Sequence, residues 1–84
     1  MFDIDPFYLT IRDLNGRSYS VFCYGYQHSI EYLKSALSQI TGIDRCLIRL
    51  IMNSTNLEDY YSLENYDIDE NSRITMVLSM RSGK

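Results

Sequence analysis

The chain has little proline, glycine, cysteine or histidine: one, four, two and one in 84 residues, and its apolar stretches are only a few residues long. Each scarcity excludes something. Without about 20 consecutive apolar residues no helix can span a bilayer, so no membrane anchor is expected. Two cysteines, with no cationic segment leading into an apolar run, argue against a disulfide framework and a secretory signal, so a reducing cytosol or nucleus is the expected location. Cys23, His28 and Cys46 are three possible ligands without Cys-x-x-Cys spacing, too few for a metal site, and no cofactor is expected. A cysteine nucleophile would have only His28 as its base. Positive charge is also short: eight Lys plus Arg against eleven Asp plus Glu give a net charge of −3, the wrong sign for a general nucleic-acid binder. Six of the acids (Glu58, Asp59, Glu64, Asp67, Asp69, Glu70) crowd into one stretch, which reads as a solvated acidic loop.

What is present is a foldable composition. With 45% hydrophobic and 23% charged residues the chain can bury enough apolar surface to offset its ordering entropy, and its length allows one domain. A domain this small buries only about 60–65% of its unfolded surface, so a binding surface is expected rather than a deep catalytic pocket.

Residues 1–6 form a lead-in that Pro6 holds extended at its end, and residues 81–84 a flexible tail, leaving a domain over 7–80. Phe7, Leu9 and Ile11 alternate with Tyr8, Thr10 and Arg12, the period of a half-buried strand over 7–14. Asp13-Leu14-Asn15-Gly16 supplies a hairpin turn, and alternation resumes over 18–24 with Tyr19, Val21 and Cys23 on one face. The period then changes. Ser29 is a good N-cap, and Ile30, Leu33, Leu37 and Ile40 recur at helical spacing until Thr41-Gly42, predicting a helix over 30–40. A third strand follows over 46–52, with Ile48, Leu50 and Met52 inward and Leu47, Arg49 and Ile51 outward, before a polar turn at 53–56. An irregular stretch with a short helical turn leads to a last strand over 73–80, with Ile74, Met76 and Leu78 inward. The order suits an α+β domain with one helix packed on a mixed sheet.

Leu50-Ile51, Leu57-Glu58-Asp59, Leu63, Tyr66, Ile68, Ser72 and Val77-Leu78, preceded by Leu14-Asn15-Gly16, Lys34 and Gly42-Ile43, stand in one register that resembles ubiquitin over roughly residues 7–80. Residues 57–63 and 76–81 are also similar to the ubiquitin-like domain of AN1-type zinc-finger proteins. The resemblance implies the β-grasp fold, a mixed sheet with the helix on its concave face, and a structural role for Tyr66, whose hydroxyl would bond backbone near Glu58. It also implies a protein-binding face at Leu14, Ile51 and Val77, with Arg49 beside it and Thr55, Thr75 and Ser79 where ubiquitin carries basic residues. Parity agrees independently: Ile51 and Val77 fall on outward strand positions, where apolar side chains need an explanation. Scattered surface aliphatics, or cover by Phe2 and Ile4, are the bland alternatives.

The expected function is a non-enzymatic, monomeric interaction domain of a larger protein. Its partners would be ubiquitin-binding domains or proteasomal subunits, not nucleic acid or membrane. The tail Ser82-Gly83-Lys84 lacks the family's Gly-Gly end, and Lys34 is the one family lysine position retained, both of which weigh against conjugation. The alternative is a processed modifier conjugated through Gly83. A second contact surface is conceivable at Tyr8, Phe22 and Tyr24 on the outer strand faces.

Overall fold

A computed structural model of the chain describes residues 6–79. Among these residues five strands and one α-helix follow in the order β1 (Phe7–Asp13), β2 (Ser18–Cys23), α1 (Ile30–Thr41), β3 (Ile48–Met52), β4 (Thr55–Asn56) and β5 (Ile74–Leu78). The strands form one mixed sheet in the order β2-β1-β5-β3-β4. Its central pair, β1 and β5, is parallel, and the other pairs are antiparallel. The strand alternation read from the sequence is the burial pattern observed: Phe7, Leu9 and Ile11 of β1, Val21 and Cys23 of β2, Ile48 and Leu50 of β3, and Ile74 and Met76 of β5 are all buried. They share one core with Ile30, Leu33 and Leu37 of the helix and with Leu57, Leu63 and Ile68 of the connecting loop.

The helix starts where its cap chemistry says it should. The Ser29 side chain accepts from the Tyr32 amide, and the next orphan donors, the amides of Ile30 and Glu31, are taken by the carbonyls of Tyr61 and Asp59. The loop thus seals the helix N-terminus, and further amides, Leu63 to His28 O and Glu64 to Tyr26 O, tie it to the segment before the helix. At the other end Gly42 adopts φ +79°, and its amide bonds to Ser38 O. The Tyr66 hydroxyl accepts from the Glu58 amide at 3.0 Å, as the resemblance implied.

Several expectations are corrected. Ile40 is 52% exposed rather than inward: the chain leaves the helix at Gly42, and Ile43, not Ile40, packs against this end of the core. Leu78 is 44% exposed, for it ends its strand past the last buried residue, Met76. The third strand begins at Ile48, because Arg45–Leu47 form a 3-10 turn closed by the Leu47 amide on Asp44 O. The turn expected over 53–56 contracts to Asn53 and Ser54, both at positive φ, and Thr55 and Asn56 form an extra short strand in which Thr55 pairs with Met52. Two positive φ values match the right-handed twist of a two-residue hairpin. Among the described residues no helix is long and apolar enough to cross a membrane.

Candidate interaction face

The face begins with an aspartate. Asp13 ends β1, and its Oδ1 accepts from the amides of Asn15 and Arg17, both at 2.9 Å, while the Tyr19 hydroxyl donates to its Oδ2 at 3.0 Å. Desolvation pushes this carboxyl up, but those hydrogen bonds and the nearby Arg17 charge outweigh it, and its pKa lies below the ordinary carboxylate value. Gly16, at φ +88°, completes the turn. The turn holds Leu14 out at 77% exposure.

Strand register brings the other residues beside it. Thr75 of β5 stands between Arg12 of β1 and Ile51 of β3. Val77, one outward position further along β5, pairs with Arg49 and shares with Leu14 the lining of a cleft that also holds Tyr19, Ile43 and Leu78. Leu14, Arg49, Ile51, Thr75 and Val77, which lie far apart in sequence, therefore meet on the sheet face opposite the helix. The expectation of an exposed patch needs one refinement, since Ile51 and Val77 are half-buried and only Leu14 stands fully clear. Outward side chains on both flanking strands shield Ile51: Thr75 on one side and Asn56 on the other. Gly83 lies outside the described residues, as do Phe2 and Ile4, named above as the alternative explanation for the apolar outward positions.

The other chemistry-bearing residues are engaged elsewhere. Cys23 is buried in the core, and burial pushes its thiol up to about 11, the opposite of what a nucleophile needs. Cys46 is exposed on the 3-10 turn. His28 accepts the Tyr24 amide on Nε2 at 3.2 Å and stacks on Tyr32, with ring centroids 4.0 Å apart and planes 11° apart. Burial lowers its pKa, which favours the neutral ring that this bond requires. Lys34 pairs with Asp59 at 2.5 Å, its side chain 12% exposed. Tyr8, Phe22 and Tyr24 do form a continuous aromatic surface, at 62%, 39% and 61% exposure, with successive rings edge to face. The Tyr32 hydroxyl donates to Phe22 O at 2.6 Å, and with His28 it caps the free edge of β2.

Two features escaped the sequence reading. Asp13 was counted only as a turn residue, although the pattern of an aspartate followed at +2 and +4 by turn amides is the signal of a side chain that organises its own loop. Arg12 and Arg73 meet on the sheet, a proximity that depends on the parallel pairing of β1 with β5.

Comparison with known proteins bears on the same residues. A sequence model described as the ubiquitin family matches residues 9–81. The chain is also similar to AN1-type zinc finger protein 4 of Mus musculus, 34% identical over 82 residues. That match covers 93% of this chain and 11% of the relative, so the chain spans about a tenth of the curated relative's length.

Proposed function

Because the chain belongs to the ubiquitin family, we propose that it is a non-enzymatic interaction domain of a larger protein. It engages ubiquitin-binding domains or proteasomal subunits through Leu14, Ile51 and Val77, with Thr75 between the strands and Arg49 at the rim. One observation carries this reading: β5 places Thr75 against Ile51 and Val77 against Arg49 on the outer face, beside a Leu14 that is 77% exposed and anchored by the Asp13 turn. A leucine held out into solvent by a hydrogen-bonded turn is the protruding part of such a face, and the half-buried Ile51 and Val77 are its floor. The short relative span supports a domain within a longer protein.

The face is small, so binding to any single receptor is weak, at the low end of specific interfaces. The test is titration of the isotope-labelled chain with a peptide of the ubiquitin-interacting helix type, with a small helical ubiquitin-binding domain, and with a proteasomal ubiquitin-receptor subunit. Binding by at least one that is lost in Leu14→Ala and Val77→Ala supports the proposal. Full affinity in both variants would show that the face is wrong.

A further inference from the structure

The net charge of −3 hides an asymmetry. The outward positions of β1, β2, β3 and β5 are Tyr8, Thr10 and Arg12; Ser18, Ser20 and Phe22; Arg49 and Ile51; Thr75 and Val77. None is acidic. The acids of the described residues lie on the helix and the loops, apart from Asp13 at the end of β1, whose carboxylate is taken up by its own turn and Tyr19, so the open sheet face is positive on a molecule that is negative as a whole.

Within that face one cleft concentrates the charge. It has a volume of about 430 Å³ and is lined by Thr10, Arg12, Ser72, Arg73, Ile74 and Thr75. β1 and β5 run parallel with Arg12 beside Thr75, and the same register carried one outward position back sets Thr10 beside Arg73. The two arginines therefore sit diagonally on one surface, each next to a threonine. Both are exposed, and neither is in an ion pair among the described residues, where the pairs are Lys34 with Asp59 and Arg45 with Glu31. Asp69, on the loop that leads into Arg73, is already used: its Oδ1 accepts from the Asn71 amide and from the Ser72 hydroxyl, and Ser72 Oγ in turn accepts the Asp69 amide. Like charges side by side on a sheet are unfavourable unless something of opposite sign binds between them.

We propose that this cleft binds a phosphate monoester carried on a polypeptide partner, with Arg12 and Arg73 as a two-sided clamp and the hydroxyls of Thr10 and Thr75 as further donors. Two guanidinium groups present more N–H donors than a carboxylate's two oxygens can accept, whereas a phosphate monoester offers three terminal oxygens and about −1.5 to −2 charge. A nucleic acid would need a track of cations following its repeating phosphates, and a bilayer surface a cluster of several basic residues. A single two-arginine cleft suits a single dianion. The site adjoins the Leu14, Ile51 and Val77 face and shares Thr75 with it, but its two arginines lie outside that face, and the proposal does not depend on that face having a partner.

The experiment follows arginine side-chain and backbone NMR signals of the 84-residue chain during titration with a short glycine-flanked phosphoserine peptide. Parallel titrations use the same peptide with glutamate in place of phosphoserine, a single-stranded oligonucleotide, and vesicles containing anionic lipid. The expected result is saturable shifts confined to Thr10, Arg12, Arg73 and Thr75, with the phosphopeptide about tenfold tighter than its glutamate counterpart. Arg12→Gln and Arg73→Gln each weaken it by about tenfold, while the core amide signals stay unmoved. Shifts spread equally over Arg17, Arg45 and Arg49, affinity unchanged in both variants, or no saturation would overturn the proposal. Tighter binding of the oligonucleotide or the vesicles through the same residues would overturn it in favour of that ligand.

Discussion

Leu50 and Ile51 are neighbours in β3 whose side chains point to opposite faces, and substituting each by alanine separates the core from the proposed interface. Leu50 is fully buried, so Leu50→Ala removes packed volume and leaves a cavity, at about 2–5 kcal/mol. Ile51 is half-buried. Ile51→Ala deletes three carbons that are shielded only in part, and at about 0.8 kcal/mol per fully buried methylene the loss of stability is about 1 kcal/mol. For a domain of this size each kcal/mol moves the melting temperature by roughly 4–8 °C, so the two variants are easily told apart by thermal or urea unfolding. Binding reverses the order. Ile51→Ala weakens whichever ubiquitin receptor binds the chain by about 1–2 kcal/mol, roughly 5–30-fold, while Leu50→Ala, measured where it is folded, leaves affinity within about twofold. Ile51→Ala that costs as much stability as Leu50→Ala, or that leaves affinity untouched, would refute the assignment of this strand face.

Three further outcomes are expected. Tyr66→Phe removes the acceptor of the Glu58 amide and lowers stability by about 1 kcal/mol, with faster hydrogen exchange at Glu58 as the specific sign; unchanged exchange there would contradict the loop-pinning role. His28 has a lowered pKa in the folded chain, so below about pH 6.5 the unfolded imidazole takes up a proton that the folded one resists. Its contribution to stability is whole above that pH and lost as pH falls toward the folded pKa. Urea midpoints at pH 7.5 and 5 should therefore differ less in His28→Gln than in the parent chain, and equal differences would count against the argument. Gly42→Ala meets no neighbouring atom but forces alanine to φ +79°, so calorimetry should show a loss of about 1 kcal/mol that arises from the backbone alone.

Strand parity and the helical spacing of Ile30, Leu33 and Leu37 were legible because burial on one face imposes those periods directly. The same logic failed at Ile40: periodicity continues to the end of a helix, but burial stops where the chain turns away. The short β4 strand went unread because Asn53-Ser54 makes a positive-φ turn without the glycine that usually announces one. Leu14, Ile51 and Val77 could be joined on the sequence only through resemblance to a known family. Spacing along the chain says nothing about which strands are neighbours. Arg12 and Arg73 show the same limit more sharply, since each is an ordinary outward arginine until β1 and β5 are laid side by side.

The central claim is that the sheet face opposite the helix is where this domain meets its partners. The most direct measurement is a chemical-shift map of the labelled chain with a proteasomal ubiquitin-receptor subunit and, separately, with a ubiquitin-interacting helix. The account predicts that the perturbed residues centre on Leu14, Arg49, Ile51, Thr75 and Val77, with α1 silent. Perturbations centred on Glu31, Ser35 and Gln39 of the helix, or none with either partner, would contradict it.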